Sequence, residues 1–312
     1  MKIDDFRKLA AFEFQHTQED HQKLYEFLHS IGIDPSRVYQ ELEMSSPYVD
    51  THRDTSYSNA TVSLHSHVFY ELLYCRSATD VEYLVGSERY RLRNGDIVFI
   101  SPGISHRPIL PDGMDGTYVR DVIWLSPEYM ENLKEMFPYI LAQSGDYLIR
   151  TSGTRWEFLG ELFASGIRER EEQQPGWEPL VLANTMAILV YLNRAYSDRS
   201  TGIMKAEKPD LLGKVTAYIE TNYAQHITIS ELARRFYVSE STISHLFKQK
   251  MGISIYHYVT QRRLISAKNR IVEGIALEQV ATQVGFSDYS AFYRAFKQEY
   301  GISPRQYRQK IL

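Results

Sequence analysis

The chain has one cysteine, Cys75, among 312 residues. A single thiol excludes an intrachain disulfide framework and fits a reducing compartment. Long apolar runs are missing too. The longest candidate, around 180–192, falls short of the ~18 uncharged residues that a bilayer-spanning helix needs. The opening stretch MKIDDFRKLAAFEFQHTQED carries acids throughout and lacks the ~7–15-residue apolar segment of a secretory signal. These absences predict a soluble, cytoplasmic chain with no membrane partner. A global excess of positive charge is also absent, the net charge being −4.

That deficit is unevenly spread. Residues 210–312 hold 14 Lys and Arg against 8 Asp and Glu, a balance of +6, which leaves −10 on 1–209. Such a split is expected when one domain meets phosphate and the other does not. Hydrophobic residues at 43% and charged residues at 24% are ordinary for a globular protein, and the length allows two cores.

The pattern along the chain predicts an α+β multidomain fold. Residues 2–45 read as helical, with Leu24, Phe27, Leu28 and Ile31 on one stripe and Pro35 opening a second short helix; with the segment to 60 they form a lead-in. From 61 to 126 the segments VSLHSHVFYELLYC, DVEYLV, RYRLR and DIVFISP are short and rich in β-branched and aromatic residues. They are punctuated by turns at Gly86-Ser87 and Asn94-Gly95, which predicts a small antiparallel barrel or jelly roll. Helices return over 127–196. The last of these, 178–196, reads as burying Leu180, Ala183, Ala187, Val190 and Tyr191, with further apolar residues on other faces, so it either packs on the barrel or forms a dimer interface. The polar stretch 197–209 ends in proline and reads as a linker.

Residues 210–312 contain an internal repeat. FKQKMGIS (247–254) recurs as FKQEYGIS (296–303), 49 residues on, and ELARRFYVSE (231–240) aligns with QVATQVGFSD (279–288) at an offset of 48. Each copy reads helix, turn, helix. In the first, Thr228 and Glu231 make a capping box and Ser239 caps the second helix. That helix buries Ile243, Leu246 and Phe247 and leaves Ser241, Ser244, His245 and Lys248 outside. In the second, Gly285 supplies the turn, Ser287 caps, Phe292 and Phe296 go inward, and Tyr289, Ser290, Tyr293, Arg294 and Lys297 stay outside. Tyr237 stands where the second copy has Gly285. Between the copies, 255–273 lacks a helix breaker and forms a rod of ~28 Å. Two second helices held apart by such a rod suit successive major grooves, ~34 Å apart. Arg262, Arg263, Lys268 and Arg270 on the rod are candidates for phosphate.

The pattern LA-x5-S-x3-I-x2-LFK-x3-GIS, then RRLISAK, then IALEQVATQVGFSDYSAFYRAFKQEYGISPRQYR, resembles the AraC/XylS family of bacterial regulators over essentially all of 210–312. The resemblance implies a double helix-turn-helix domain that binds double-stranded DNA, a homodimer, and RNA polymerase as a partner. It places base contacts at Ser241, Ser244 and His245 in the first unit and at Tyr289, Ser290 and Arg294 in the second. Lys248 and Lys297 fit phosphate. Arg294 is the candidate for reading guanine; the first unit has no arginine on its reading helix.

Upstream, H-x-H-x3-E followed by G-x6-PG-x2-H, formed by His65, His67, Glu71, Gly95, Pro102, Gly103 and His106, resembles the two cupin motifs. The glycine usual after the first motif is replaced by Ser77-Ala78. His65, His67 and Glu71 share parity and so point to one side of a strand. Two readings of His65, His67, Glu71 and His106 stand side by side. They hold a divalent transition metal, or they bond to one another and to a polar effector with no cofactor required. The resemblance implies a cupin-like effector domain whose small molecule is of carbohydrate type. The whole then reads as an effector-controlled transcription activator and not an enzyme. A metal-dependent cupin enzyme fused to a DNA-binding domain is the alternative, and a DNA-repair alkyl acceptor is excluded by the single cysteine.

Overall fold

The computed structural model describes residues 44, 46–56, 64–78, 80–111, 117–142, 145–198, 202–206 and 208–311. The helices expected within 2–45 lie, Met44 apart, outside them. Among the described residues nine strands form two antiparallel sheets. They are β1 (Val49–Ser56), β2 (Tyr70–Ser77), β3 (Glu82–Val85), β4 (Glu88–Arg91), β5 (Asp96–Ile100), β6 (His106–Ile109), β7 (Tyr118–Leu125), β8 (Leu148–Arg150) and β9 (Ile203–Met204). The larger sheet runs β1-β7-β2-β5-β8-β9 and the smaller β4-β3-β6.

Period-two alternation sorts the strand residues into layers. On β2 and β5, Leu72, Ile97 and Phe99 pack on a helical layer, while Leu73, Cys75, Val98 and Ile100 meet Tyr83, Val85 and Tyr90 of the smaller sheet. Every residue of β5 is buried, as a strand covered on both faces requires. The helical layer comprises α1 (Pro127–Leu133), α2 (Pro138–Leu141), α3 (Leu159–Glu172) and α4 (Trp177–Asp198). Ser126 starts α1 by accepting the Tyr129 N–H at 3.1 Å.

The strands exceed the interval 61–126 at both ends. β1 precedes it and pairs with β7 throughout, from Val49 with Leu125 to Ser56 with Tyr118. β8 and β9 follow it, and β9 lies inside the stretch read as a linker: Ile203 pairs with Ile149 and Met204 with Leu148. On α4 the buried stripe is Val181, Thr185, Ile188, Leu189, Leu192, Ala195 and Tyr196, not the expected one. Leu180 is 50% exposed. With apolar residues on most of its surface, the sequence of α4 does not single out its inner face.

The C-terminal part has seven helices: α5 (Leu211–Asn222), α6 (Ile229–Phe236), α7 (Glu240–Met251), α8 (Ile255–Val272), α9 (Leu277–Gln283), α10 (Tyr289–Tyr300) and α11 (Pro304–Ile311). The rod α8 belongs to two cores. Ile255, Tyr258, Val259 and Ile265 join α5, α6 and α7, whereas Leu264, Ala267 and Ile271 join α9, α10 and α11. Leu64, Leu84 and Ile109, on the outer side of the smaller sheet, complete the first of these cores. The order of layers is therefore helices, larger sheet, smaller sheet, first helix-turn-helix unit. Among the described residues no helix is long and apolar enough to cross a membrane.

Candidate nucleic-acid interface and buried histidine–glutamate site

The first unit is built as its caps dictate. The Glu231 N–H donates to Thr228 Oγ1 at 3.1 Å and the Thr228 N–H donates to Glu231 Oε2 at 3.0 Å, closing the capping box. Ser239 caps α7 by accepting from the Thr242 N–H at 3.1 Å. Ile243, Phe247 and Met251 anchor the helix inward, and Leu246 is half-buried. Ser241, Ser244, His245 and Lys248 are exposed on the other side. Ser241 Oγ shares a 2.8 Å hydrogen bond with Ser239, and Lys248 Nζ donates to Gly252 O at 3.3 Å.

In the second unit the cap is Asp288 rather than Ser287. Asp288 Oδ1 accepts the Ala291 N–H at 2.7 Å, while Ser287 Oγ donates to Asp288 Oδ2 at 3.0 Å. The extra residue of the second copy thus lies in the turn, between Gly285 and the cap. Phe292, Phe296 and Tyr300 point inward, Ser290, Arg294 and Lys297 are exposed, and Tyr289 and Tyr293 are half-buried. Tyr289 stands edge-on to Phe292 at 6.0 Å.

The rod cations do not project to a common outer surface. Arg262 Nε lies 2.7 Å from Glu220 Oε2, with its guanidinium over the Tyr223 ring. Arg263 donates to the carbonyls of Tyr223 and Gln225 at 2.7 and 2.8 Å. Lys268 is buried over Tyr300 and Tyr307, and Arg270 donates to Gln283 Oε1 at 2.8 Å. Their charges tie the two units to the rod, which corrects their assignment to phosphate.

The second site lies between the sheets. Glu71 comes from β2 and His106 from β6, and His67 comes from the segment leading into β2. His106 Nε2 is 3.2 Å and His67 Nε2 3.6 Å from Glu71 Oε2. All three residues are buried, and their ligand atoms lie within 4.8 Å of one another. His65 is not part of the trio. The chain does not run as one strand from 65 to 71, so shared parity does not bring its ring atoms in. Its backbone pairs with that of His106, and its ring stands edge-on to His106 at 4.2 Å.

The backbone fixes how the two imidazoles present themselves. His67 Nδ1 lies 2.8 Å from Phe69 O and His106 Nδ1 lies 2.9 Å from Ile104 O. A carbonyl only accepts, so each Nδ1 carries a proton and each ring presents its Nε2 to Glu71. Trp124, opposite Glu71 in the sheet register, donates to Glu71 Oε1 at 3.0 Å and leaves Oε2 facing the rings. Burial works against the Glu71 charge, yet the adjoining rings of His106 and His67 hold its carboxyl well below the usual carboxylate range. Burial lowers the pKa of His67. His67 Nε2, His106 Nε2 and Glu71 Oε2 are buried without a hydrogen-bond partner. Three lone pairs facing one another repel unless a proton or a cation lies among them. Two imidazoles and a carboxylate, each held from behind by a hydrogen bond, fit a first-row divalent ion. Sequence reasoning missed Trp124 and Arg107; the signals were cross-strand register for the first and strand alternation past His106 for the second.

The helix-turn-helix domain family matches residues 232–310. The chain is similar to the HTH-type transcriptional activator RhaS of Salmonella arizonae, 25% identical over 255 residues that cover 78% of this chain and 87% of RhaS. It is also similar to YdiP of Escherichia coli, an HTH-type transcriptional regulator, 30% identical over 177 residues that cover 56% of this chain and 55% of YdiP. ToxT of Vibrio cholerae superposes with a TM-score of 0.34 at 12% identity, covering 85% of this chain and 99% of ToxT. RhaS and YdiP are regulators of transcription rather than enzymes. With its duplicated helix-turn-helix units behind a sheet domain, the chain is a DNA-binding transcription regulator that carries a helix-turn-helix family domain over residues 232–310 and is similar to RhaS and YdiP.

Proposed function

We propose that the chain is a cytoplasmic transcription activator that binds DNA as a homodimer, acts on RNA polymerase, and answers to a small polar effector of carbohydrate class held between its two sheets. The observation that carries the DNA-binding part is the solvent-facing polar side of α7 and α10, while their apolar sides are anchored to one rod. Ser241, Ser244, His245, Tyr289, Ser290 and Arg294 contact bases in this reading, and Lys248 and Lys297 contact phosphate. RhaS, of which the chain spans 87%, is a transcriptional activator. A buried polar cluster between sheets suits recognition of a hydroxylated molecule better than an apolar one.

The test has two arms on the full chain. A thermal-shift screen of monosaccharides and sugar phosphates identifies the effector class, and fluorescence anisotropy on a duplex selected by the chain from a random pool follows its consequence. A sugar that raises Tm and shifts DNA affinity supports the reading. A chain that selects no duplex, or whose affinity is indifferent to every stabilising sugar, contradicts it.

A further inference from the structure

We propose that Arg107, a residue of the sheet domain, is a positioning residue of the first DNA-reading unit: it fixes the corner between α7 and the rod α8, and so sets the angle at which α7 meets a duplex. The proposal deepens the reading of α7 and α10 given above and rests on it.

Alternation along β6 decides which way Arg107 points. His106 faces the space between the sheets, so Arg107 and Ile109 face outward. Register places Leu84 of β3 opposite Arg107. Leu84 and Ile109 share one core with Ile219, Phe247 and Met251. The outer face of the smaller sheet is therefore buried against the first unit, with Arg107 inside that interface at 1% exposure.

From there the guanidinium reaches the end of the reading helix. Nη1 donates to Met251 O at 3.1 Å, while Nε donates to Pro108 O on its own strand at 3.1 Å. Met251 is the last residue of α7, and its carbonyl is among the four that a helix leaves unpaired at that end. A cation there opposes the negative pole of the helix. Burial brings the Arg107 pKa down to about 10, which leaves the side chain charged at neutral pH. Only Gly252, Ile253 and Ser254 separate α7 from α8, and Gly252 turns the chain in left-handed backbone. Across this corner Phe247 of α7 stands edge-on to Tyr258 of α8 at 5.6 Å. Neighbouring contacts hold the sheet to the same unit. Ser105 Oγ donates to Glu220 Oε2 of α5 at 3.2 Å, and Arg89 Nη2 of β4 lies 2.9 Å from Oδ1 of Asp210, the residue that caps α5.

The two units differ in this respect. Among the described residues, the core of the second runs from Leu264 to Tyr307 with Tyr223 packed against it, and takes no side chain from the sheets. α10 is thus oriented by the rod, α9 and α11, whereas α7 is oriented in part by a strand of the other domain. The first unit also has no arginine on its reading helix. Ser241 and Ser244 are short, and hydrogen bonds weaken steeply off their geometry, so base contacts from α7 depend on a fixed helix angle.

The experiment uses the full chain, with fluorescence anisotropy on the selected duplex and on variants of it that each differ at one base pair. Base pairs whose substitution ceases to matter in Ser244→Ala or His245→Ala belong to α7, and those whose substitution ceases to matter in Arg294→Ala belong to α10. Arg107→Met is expected to lose at least about fivefold of the discrimination at the α7 base pairs and less than about twofold at the α10 base pairs. Hydrogen exchange at the amides of Met251 and Gly252 is expected to run at least about tenfold faster in the same variant. Arg107→Gln, which removes the charge but keeps an amide donor, is read in the same way where Arg107→Met does not fold. Undiminished discrimination at the α7 base pairs overturns the proposal. Equal losses at both sets overturn it too, since a merely structural role predicts them, and so does unchanged exchange at Met251 and Gly252. A wild-type chain that discriminates between no base pairs overturns the reading of α7 and α10 instead, and the exchange measurement then decides by itself whether Arg107 holds the corner.

Discussion

Tyr237 and Gly285 occupy the same position in the two helix-turn-helix turns, and both adopt left-handed backbone, with φ of 57° and 93°. The second is glycine for a further reason: a side chain there would meet Ala224 O at 2.4 Å. Tyr237 is 95% exposed and meets no such wall. Left-handed strain costs a non-glycine residue ~1–2 kcal/mol, against which glycine loses ~0.5–1 kcal/mol in chain entropy. Tyr237→Gly is therefore expected to leave stability unchanged or raise it by up to ~1 kcal/mol, and Gly285→Ala to lower it by more than ~2 kcal/mol. Urea denaturation of both variants checks the contrast; equal losses would contradict it.

Asp288, not its neighbour Ser287, caps the second reading helix, and the Ala291 N–H is the first cause holding its carboxyl below the ordinary range. A depressed folded value means that the stabilisation is complete above the unfolded pKa of ~3.9 and is lost as pH falls through the lower folded value. Asp288→Ala is expected to lower Tm at pH 7 by about 3 °C. Asp288→Asn should keep most of the cap and flatten its acid dependence. Ser287→Ala should change Tm by less than Asp288→Ala does.

Cys75 lies in β2 with no exposed surface, and burial pushes its thiol up to about 12. The thiolate is the reactive form, so the folded chain is expected to ignore Ellman's reagent at pH 8 and to release one equivalent on addition of guanidinium. Prompt reaction in the native state would show the sheet packing to be wrong.

Trp124 holds the rear oxygen of Glu71. Trp124→Phe keeps most of the ring but leaves a buried carboxylate oxygen without its donor, a loss of ~1–3 kcal/mol. Thermal unfolding reads this directly, and a Tm equal to wild type would mean that water replaces the indole N–H.

The helix-turn-helix units were legible because their determinants are local: a capping box at Thr228 and Glu231, a cap at Ser239, a repeat four dozen residues apart. What the sequence concealed was set at long range. β1 finds β7 across some seventy residues, and no local pattern announces that pairing. The rod cations looked like phosphate ligands until Glu220, Gln283 and the aromatic rings around them came into view. Parity joined His65 to the buried trio on the assumption of one continuous strand, whereas the chain joins β2 only at Tyr70. His67, Glu71 and His106 converge because three separate segments meet, which spacing alone suggested without fixing.

The most direct measurement is a comparison of Arg294→Ala with Lys248→Ala on the selected duplex and on variants of it, across a salt series. Arg294→Ala is expected to cost ~1–3 kcal/mol at one base position and little elsewhere. Lys248→Ala is expected to weaken all sequences alike and to flatten the salt slope by about one. Equal, sequence-blind losses from both, or no loss from either, would contradict the claim that α7 and α10 present their polar faces to DNA.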